Sequence, residues 1–157
     1  MDPYKATVNA LIAAKIGYSS GNCYVSALTL DIPGNHPLYA QVVPGIVQGQ
    51  DNSDDVDELV LEVKVSLFVH MQIDVESRTQ EIVVKESTGL LARAAAIRRA
   101  LNGKYLQDAD GRDLLAVALK RVTTLEPNAN PRDTTWVHID QVFRGRLYEK
   151  IGVSDAD

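Results

Sequence analysis

The chain has one cysteine, Cys23, among its 157 residues, which excludes an internal disulfide framework and any multi-cysteine metal site. It has no basic excess. Its 16 Lys and Arg stand against 21 Asp and Glu for a net charge of −5, which argues against a general nucleic-acid binder carrying a basic face. No apolar run approaches the ~20 residues needed to cross a bilayer. The start, MDPYKATVNA, is acidic and lacks an apolar core, so no export signal is expected. Repeats and low-complexity tracts are absent too. With 45% apolar residues there is material for a real core, and the expectation is one soluble, intracellularly made domain over residues 1–157, with a flexible tail at 152–157.

Motifs of chemistry are also scarce. There is no G-x-S-x-G, phosphate loop, dinucleotide fingerprint or H-E-x-x-H. His36, His70 and His138 lie far apart in sequence, and the latter two read as surface residues of strands. DADGRD at 108–113 alternates carboxylates, but its glycine stands fourth rather than sixth and no glutamate follows at twelve, so an ordinary loop is expected rather than a calcium site. Cys23 has no activating base nearby in sequence and reads as a buried thiol. No cofactor and no metal is expected.

What is present is a strong period of two. In LVLEVKVSLFVHMQIDV, residues 59–75, the odd positions Leu59 to Val75 are all apolar and the even ones mostly polar, the pattern of a strand with one buried face. At ~3.3 Å per residue this stretch spans roughly 55 Å, against about 40 Å for the diameter of a compact chain of this size. Such a strand curves strongly or projects, and a projecting end with an apolar face needs cover, most simply from a second subunit. TWVHIDQVFRGRLYEKI near the C-terminus repeats the pattern, with Val137, Ile139, Phe143, Leu147 and Ile151 on one face and Trp136, His138, Asp140, Arg144, Arg146 and Tyr148 on the other.

The remaining elements follow from local signals. Asp2 as N-cap, Pro3 at the first helical position and Gly17 as a stop predict a helix over 3–16. CYVSALTLDIP and PLYAQVVPGIV read as strands, the second placed at a sheet edge or bent by Pro37 and Pro44. QGQDNSDDVDE, 48–58, reads as an acidic loop. Ser77 and Gln80 have capping-box spacing for a helix over about 78–102, ended by Asn102-Gly103, with Leu90, Ala94, Ile97 and Leu101 as its apolar stripe and residues 78–89 open to other readings. A strand in AVALKRVTTLEP is predicted to precede the final one. The expected fold is α+β: a mostly antiparallel, twisted sheet with long strands, packed by two main helices on one face.

This order of elements resembles the tail terminator proteins of tailed bacteriophages, a group that includes minor tail and neck proteins. The resemblance runs through PLYAQVVPG, the acidic loop, LEVKVSLFVHMQID, LLARAAAIRRAL and WVHIDQVFRGRLYEKI, over about residues 3–151; it is one of arrangement, without a signature motif. It implies a virion protein assembled in the host cytoplasm, not an enzyme, that forms a homo-oligomeric ring, most simply a hexamer. The ring would cap the tail tube, stop its polymerisation and join the tail to the head connector or stopper. DNA would pass through the lumen unbound, repelled by carboxylates; Asp51, Asp54, Asp55, Asp57, Glu58, Glu62 and Asp74 are the candidates. Candidate contacts between proteins are Met71, Ile73 and Val75 on the long strand, Trp136 and Tyr148 as aromatic anchors, Arg144 and Arg146 toward an acidic partner, and loops 104–113 and 127–134. Pairing within the sheet, for instance of Arg144 with Glu62, accounts for the arginines equally well. Another head–tail connector, stopper or tail-completion protein is the nearest alternative; a small-molecule-binding or hydrolytic domain with His70 and His138 on paired strands is a more distant one.

Overall fold

The computed structural model describes residues 2–26, 36, 38–45, 48–51, 56–70, 89–124, 128–129 and 136–150. Helix α1 spans Pro3–Ala13, and the Asp2 carboxylate accepts the Tyr4 N–H at 2.9 Å, closing one of the donors a helix start leaves open. It ends about a turn before the expected stop: Lys15 already takes a left-handed φ of 54°, and Gly17 follows at 102°. Asn22 then ties the turn, accepting from Ser19 N–H at 2.7 Å and donating to Gly17 O at 3.1 Å.

One sheet follows. Strands β1 (Cys23–Val25), β2 (Leu38–Pro44), β4 (Val56–His70), β7 (Trp136–Lys150) and β5 (Val117–Thr124) lie side by side in that order. Two short strands flank the long ones, β3 (Gln48–Asp51) beside β4 and β6 (Asn128–Ala129) beside β7. All pairings are antiparallel except β1 with β2. Helix α2 spans Leu90–Leu101; the capping-box residues Ser77 and Gln80 and the rest of 71–88 lie outside the described residues.

Two expectations are corrected. Strand β2 is not an edge, since β1 and β4 pair on its two sides. Its proline, Pro44, is tolerated for a positional reason, while Pro37 lies outside the described residues. Ala40 N–H faces β1 and donates to Asn22 O, while Gly45 N–H faces β4 and donates to Glu62 O. Pro44 falls on the β1 side, two residues past the last β1 pairing at Val42, where its missing donor costs the sheet nothing. Nor is 48–58 a loop throughout. Asp51 belongs to β3, and Asp57 and Glu58 to β4, because backbone pairing with β7 extends the strand through residues whose polarity hides the pattern.

The length of β4 has a partner within the chain. Every one of its 15 residues is in register with β7, from Val56 opposite Lys150 to His70 opposite Trp136. Odd positions of both strands face the helices: Leu61, Val63, Val65, Leu67, Val137, Ile139 and Phe143 pack with Leu11 of α1 and with Leu90, Ala94, Ile97 and Leu101 of α2. Both helices thus cover one face, as expected. Gly145 is required in this layer, since a Cβ there would meet Leu115 Cδ1 at 2.9 Å and Val117 O at 3.0 Å.

Candidate functional site on the aromatic sheet face

Even positions of β4 and β7 turn away from the helices, and register assembles on them residues that are remote in sequence. Tyr24, Gln41, Ser66 and Asp140 form one row across β1, β2, β4 and β7. Tyr39, Phe68 and His138 form the next, and His70 stands opposite Trp136 in the one beyond. Tyr39, Phe68 and Trp136 make a second, smaller hydrophobic cluster. Its rings meet edge to face, Tyr39 with Trp136 at 5.4 Å and His70 with Trp136 at 4.9 Å, a geometry that aromatic quadrupoles favour. His36 joins through Tyr39, whose hydroxyl accepts the His36 N–H at 3.0 Å, and His138 lies 5.3 Å from Phe68. The three histidines, scattered in sequence, border one aromatic cluster.

Asp140 is the charged member of this face. Burial pushes its carboxyl up, but the proximity of His138 and Ser66 and the charge of Lys64 outweigh burial and hold it below the usual carboxylate range. His138 Nδ1 lies 3.6 Å from Asp140 Oδ1, an ion-pair separation rather than a hydrogen bond. The buried Ser66 hydroxyl likewise makes no hydrogen bond of good geometry. A serine, a histidine and an aspartate are thus neighbours, but the carboxylate stands directly opposite the hydroxyl. In a nucleophilic relay the imidazole lies between the two, so the order here is the wrong one for that chemistry. Among the described residues no group of three or more His, Cys, Asp or Glu could hold a metal ion.

Toward the other end of the same face lies a shallow depression of about 590 Å³, lined by Val60, Glu62, Val117, Lys120, Val122 and Arg144 together with Arg146. Val117 and Val122 are 46% and 47% exposed. Arg144 Nε is 2.9 Å from Glu62 Oε2, its register partner, so the within-sheet explanation holds for this pair and the Glu62 charge is neutralised locally. Beside the depression, β3, β4 and β7 continue as a three-stranded ribbon. Asp51 pairs with Asp57, and Asp57 with Glu149, which puts three acidic residues in one row.

Of the other expected contact residues, Trp136 is only 8% exposed and packed among aromatic residues of the chain's own sheet. Arg146 stands opposite Val60 and Val117, and Tyr148 opposite Glu58. Met71, Ile73, Val75, Asp54, Asp55 and Asp74 lie outside the described residues, as does most of 127–134. Loop 104–113 is closed by Asp108, whose Oδ1 accepts the N–H groups of Asp110 and Arg112 at 2.9 Å each; led by the Arg112 N–H, these bonds hold its carboxyl below the usual range. Cys23 is buried, and burial pushes its thiol up to about 12. Sequence reasoning missed Tyr39, Ser66, Phe68, Val117, Lys120 and Val122 as a set, and only the alternation of each strand pointed toward them.

No protein family matches the chain. No curated protein matches it either. Solved structures that match include one bearing only a serial designation, 11% identical, covering 96% of this chain and 92% of its own, with a TM-score of 0.45; a likeness at that level carries no argument about function.

Proposed function

We propose that the protein is a structural ring-former of a phage virion, one that caps the tail tube, ends its polymerisation and joins the tail to the head connector. The observation that carries this reading is the ribbon of β3, β4 and β7. Strands β4 and β7 pair over 15 residues each, about 50 Å of strand against about 40 Å for the diameter of a compact chain of this size. Toward its start β4 is paired with β7 on one side and with β3 on the other. A strand pair of that length is the kind of element a neighbouring subunit covers, and a closed ring gives every copy that cover. Tube protein and connector would meet the two sides of the ring. DNA in its lumen would face a protein of net negative charge and pass without binding.

Light scattering across a concentration series, followed by negative-stain imaging, tests this reading. Six-fold rings, free or on tail ends, and arrest of tube growth on addition of the protein are the expected results. A monomer that neither binds isolated tails nor arrests tube growth overturns it.

A second reading, a small-molecule-binding or hydrolytic domain, has one observation in its favour: the gathering of His36, His70 and His138 at one aromatic cluster. It requires that His70→Ala or His138→Ala abolish a measurable activity, whereas a ring-former tolerates both and keeps assembling.

A further inference from the structure

We infer that Asn102 is a covalent modification site, a spontaneous deamidation site that the fold holds in check and whose conversion frees the outer edge of β5. The site does not depend on the ring reading above.

Asn102-Gly103 is the one Asn-Gly dipeptide of the chain. This pairing is labile because glycine puts no Cβ in the path of its own nitrogen. In the reaction the Gly103 nitrogen bonds to Cγ of Asn102, and the C–N bond of the side-chain amide breaks. The proton of the Gly103 N–H leaves with the amide nitrogen as ammonia. The succinimide ring so formed then takes up one water. Opening at one carbonyl gives aspartate; opening at the other gives isoaspartate, whose main chain is longer by one methylene. Either product carries one more negative charge than asparagine.

The fold needs both residues where they are. Asn102 is the C-cap of α2, with φ −61° and ψ 126°, and Gly103 follows with a left-handed φ of 80°, which glycine adopts at no steric cost. The Asn102 side-chain oxygen accepts the Arg121 N–H of β5 at 2.8 Å. Gly103 N–H donates to Leu119 O, also of β5, at 2.8 Å, and Leu119 N–H donates to Lys104 O at 2.7 Å. Residues 102–104 are therefore a strap along the outer edge of β5, a terminal strand of the sheet order. The strap satisfies backbone groups that a free edge presents to other strands.

The same bonds oppose the chemistry. Ring closure needs the Gly103 nitrogen to eclipse the Asn102 Cβ about the Cα–C bond, and at a ψ of 126° the two stand more than a right angle apart. Turning that bond carries Gly103 N–H off Leu119 O, and bringing Cγ toward the nitrogen takes the side-chain oxygen off Arg121 N–H. The reactive geometry belongs to a locally opened state. Nothing else shields the dipeptide: Asn102 is exposed, and no atom lies within 4 Å of where a Gly103 Cβ would stand. Isoaspartate lengthens the main chain between α2 and β5, so the three strap bonds do not all re-form. A transient opening becomes a permanent one, and the edge at 119–121 is uncovered.

Peptide mass spectrometry of the full chain, aged in mildly alkaline buffer with and without denaturant, tests this. In the unfolded chain the mass gain of deamidation is expected first at Asn102. In the folded chain it is expected to be slower by about tenfold or more, because two hydrogen bonds must open first. The isoaspartate form, isolated by chromatography, is expected to lose hydrogen-exchange protection at the Leu119 and Arg121 amides. Asn102→Asp, which has the product's charge on an ordinary main chain, is expected to keep it. Equal rates in the folded and unfolded chain overturn the inference, and so does an unfolded chain that deamidates elsewhere before Asn102. Protection that survives in the isoaspartate form, or that Asn102→Asp loses to the same extent, overturns the release of the edge.

Discussion

Gln141 Nε2 donates to the Ala94 carbonyl of α2 at 2.8 Å, a hydrogen bond from the middle of the last strand into the helix that covers it. Gln141 is 1% exposed and sits at an odd position between Ile139 and Phe143, where alternation calls for an apolar residue. The bond fixes α2 along the strand direction, which apolar packing alone leaves free to slide. Gln141→Ala is expected to cost about 2 kcal/mol, roughly half from the hydrogen bond and half from the cavity. Gln141→Leu, which keeps the volume, should cost about half as much; urea unfolding of the two variants separates the contributions.

Trp136 distinguishes a residue of the fold from a residue of an interface. Its indole is 8% exposed and meets Tyr39 and His70 edge to face, so Trp136→Ala is expected to destabilise the isolated chain by about 3–5 kcal/mol. An exposed anchor would cost the isolated chain no more than about 0.5 kcal/mol. Chemical denaturation of the unassembled protein measures which holds.

Cys23 should be inert while the chain is folded. With its thiol pushed up to about 12 by burial, about one molecule in ten thousand carries thiolate at pH 8, against roughly a quarter for an ordinary cysteine. A chromogenic disulfide reagent is expected to react only as fast as the protein opens, and denaturant should accelerate the reaction to the rate of a free thiol.

Asp140 should govern part of the acid limb of stability. Its folded-state pKa is lowered, so its contribution is complete above the unfolded carboxylate value of about 3.9 and is lost as pH falls through the lower folded-state value. The groups that set this are His138, Ser66 and Lys64. Asp140→Asn should therefore be less stable than wild type at neutral pH, with the difference shrinking as pH drops below about 4. Thermal melting as a function of pH measures it.

Alternation and end signals were enough to read much of this fold. The odd positions of 59–69 and of 137–147 announced two long strands, and Asp2-Pro3 with the stripe Leu90, Ala94, Ile97 and Leu101 announced the helices; each is a local pattern that a single element displays by itself. Where polarity masked the period, as at Asp51, Asp57 and Glu58, strand read as loop, because backbone pairing there owes nothing to side-chain burial. Pro44 of β2 misled for a related reason, since only the far end of β1 determines whether that position needs a donor.

The candidate surfaces belong to the other category. The meeting of Ser66 with Asp140, of Tyr39 with Trp136, of Arg144 with Glu62, and of Asp51 with Asp57 and Glu149 depends on register between strands up to a hundred residues apart. Sequence alone determined which face of each strand a residue would share, because that parity is a property of one extended backbone. Which residues of other strands would join it there is a property of pairing, which is set only when the helices close over the odd positions and a slip of one residue would turn every apolar side chain to water.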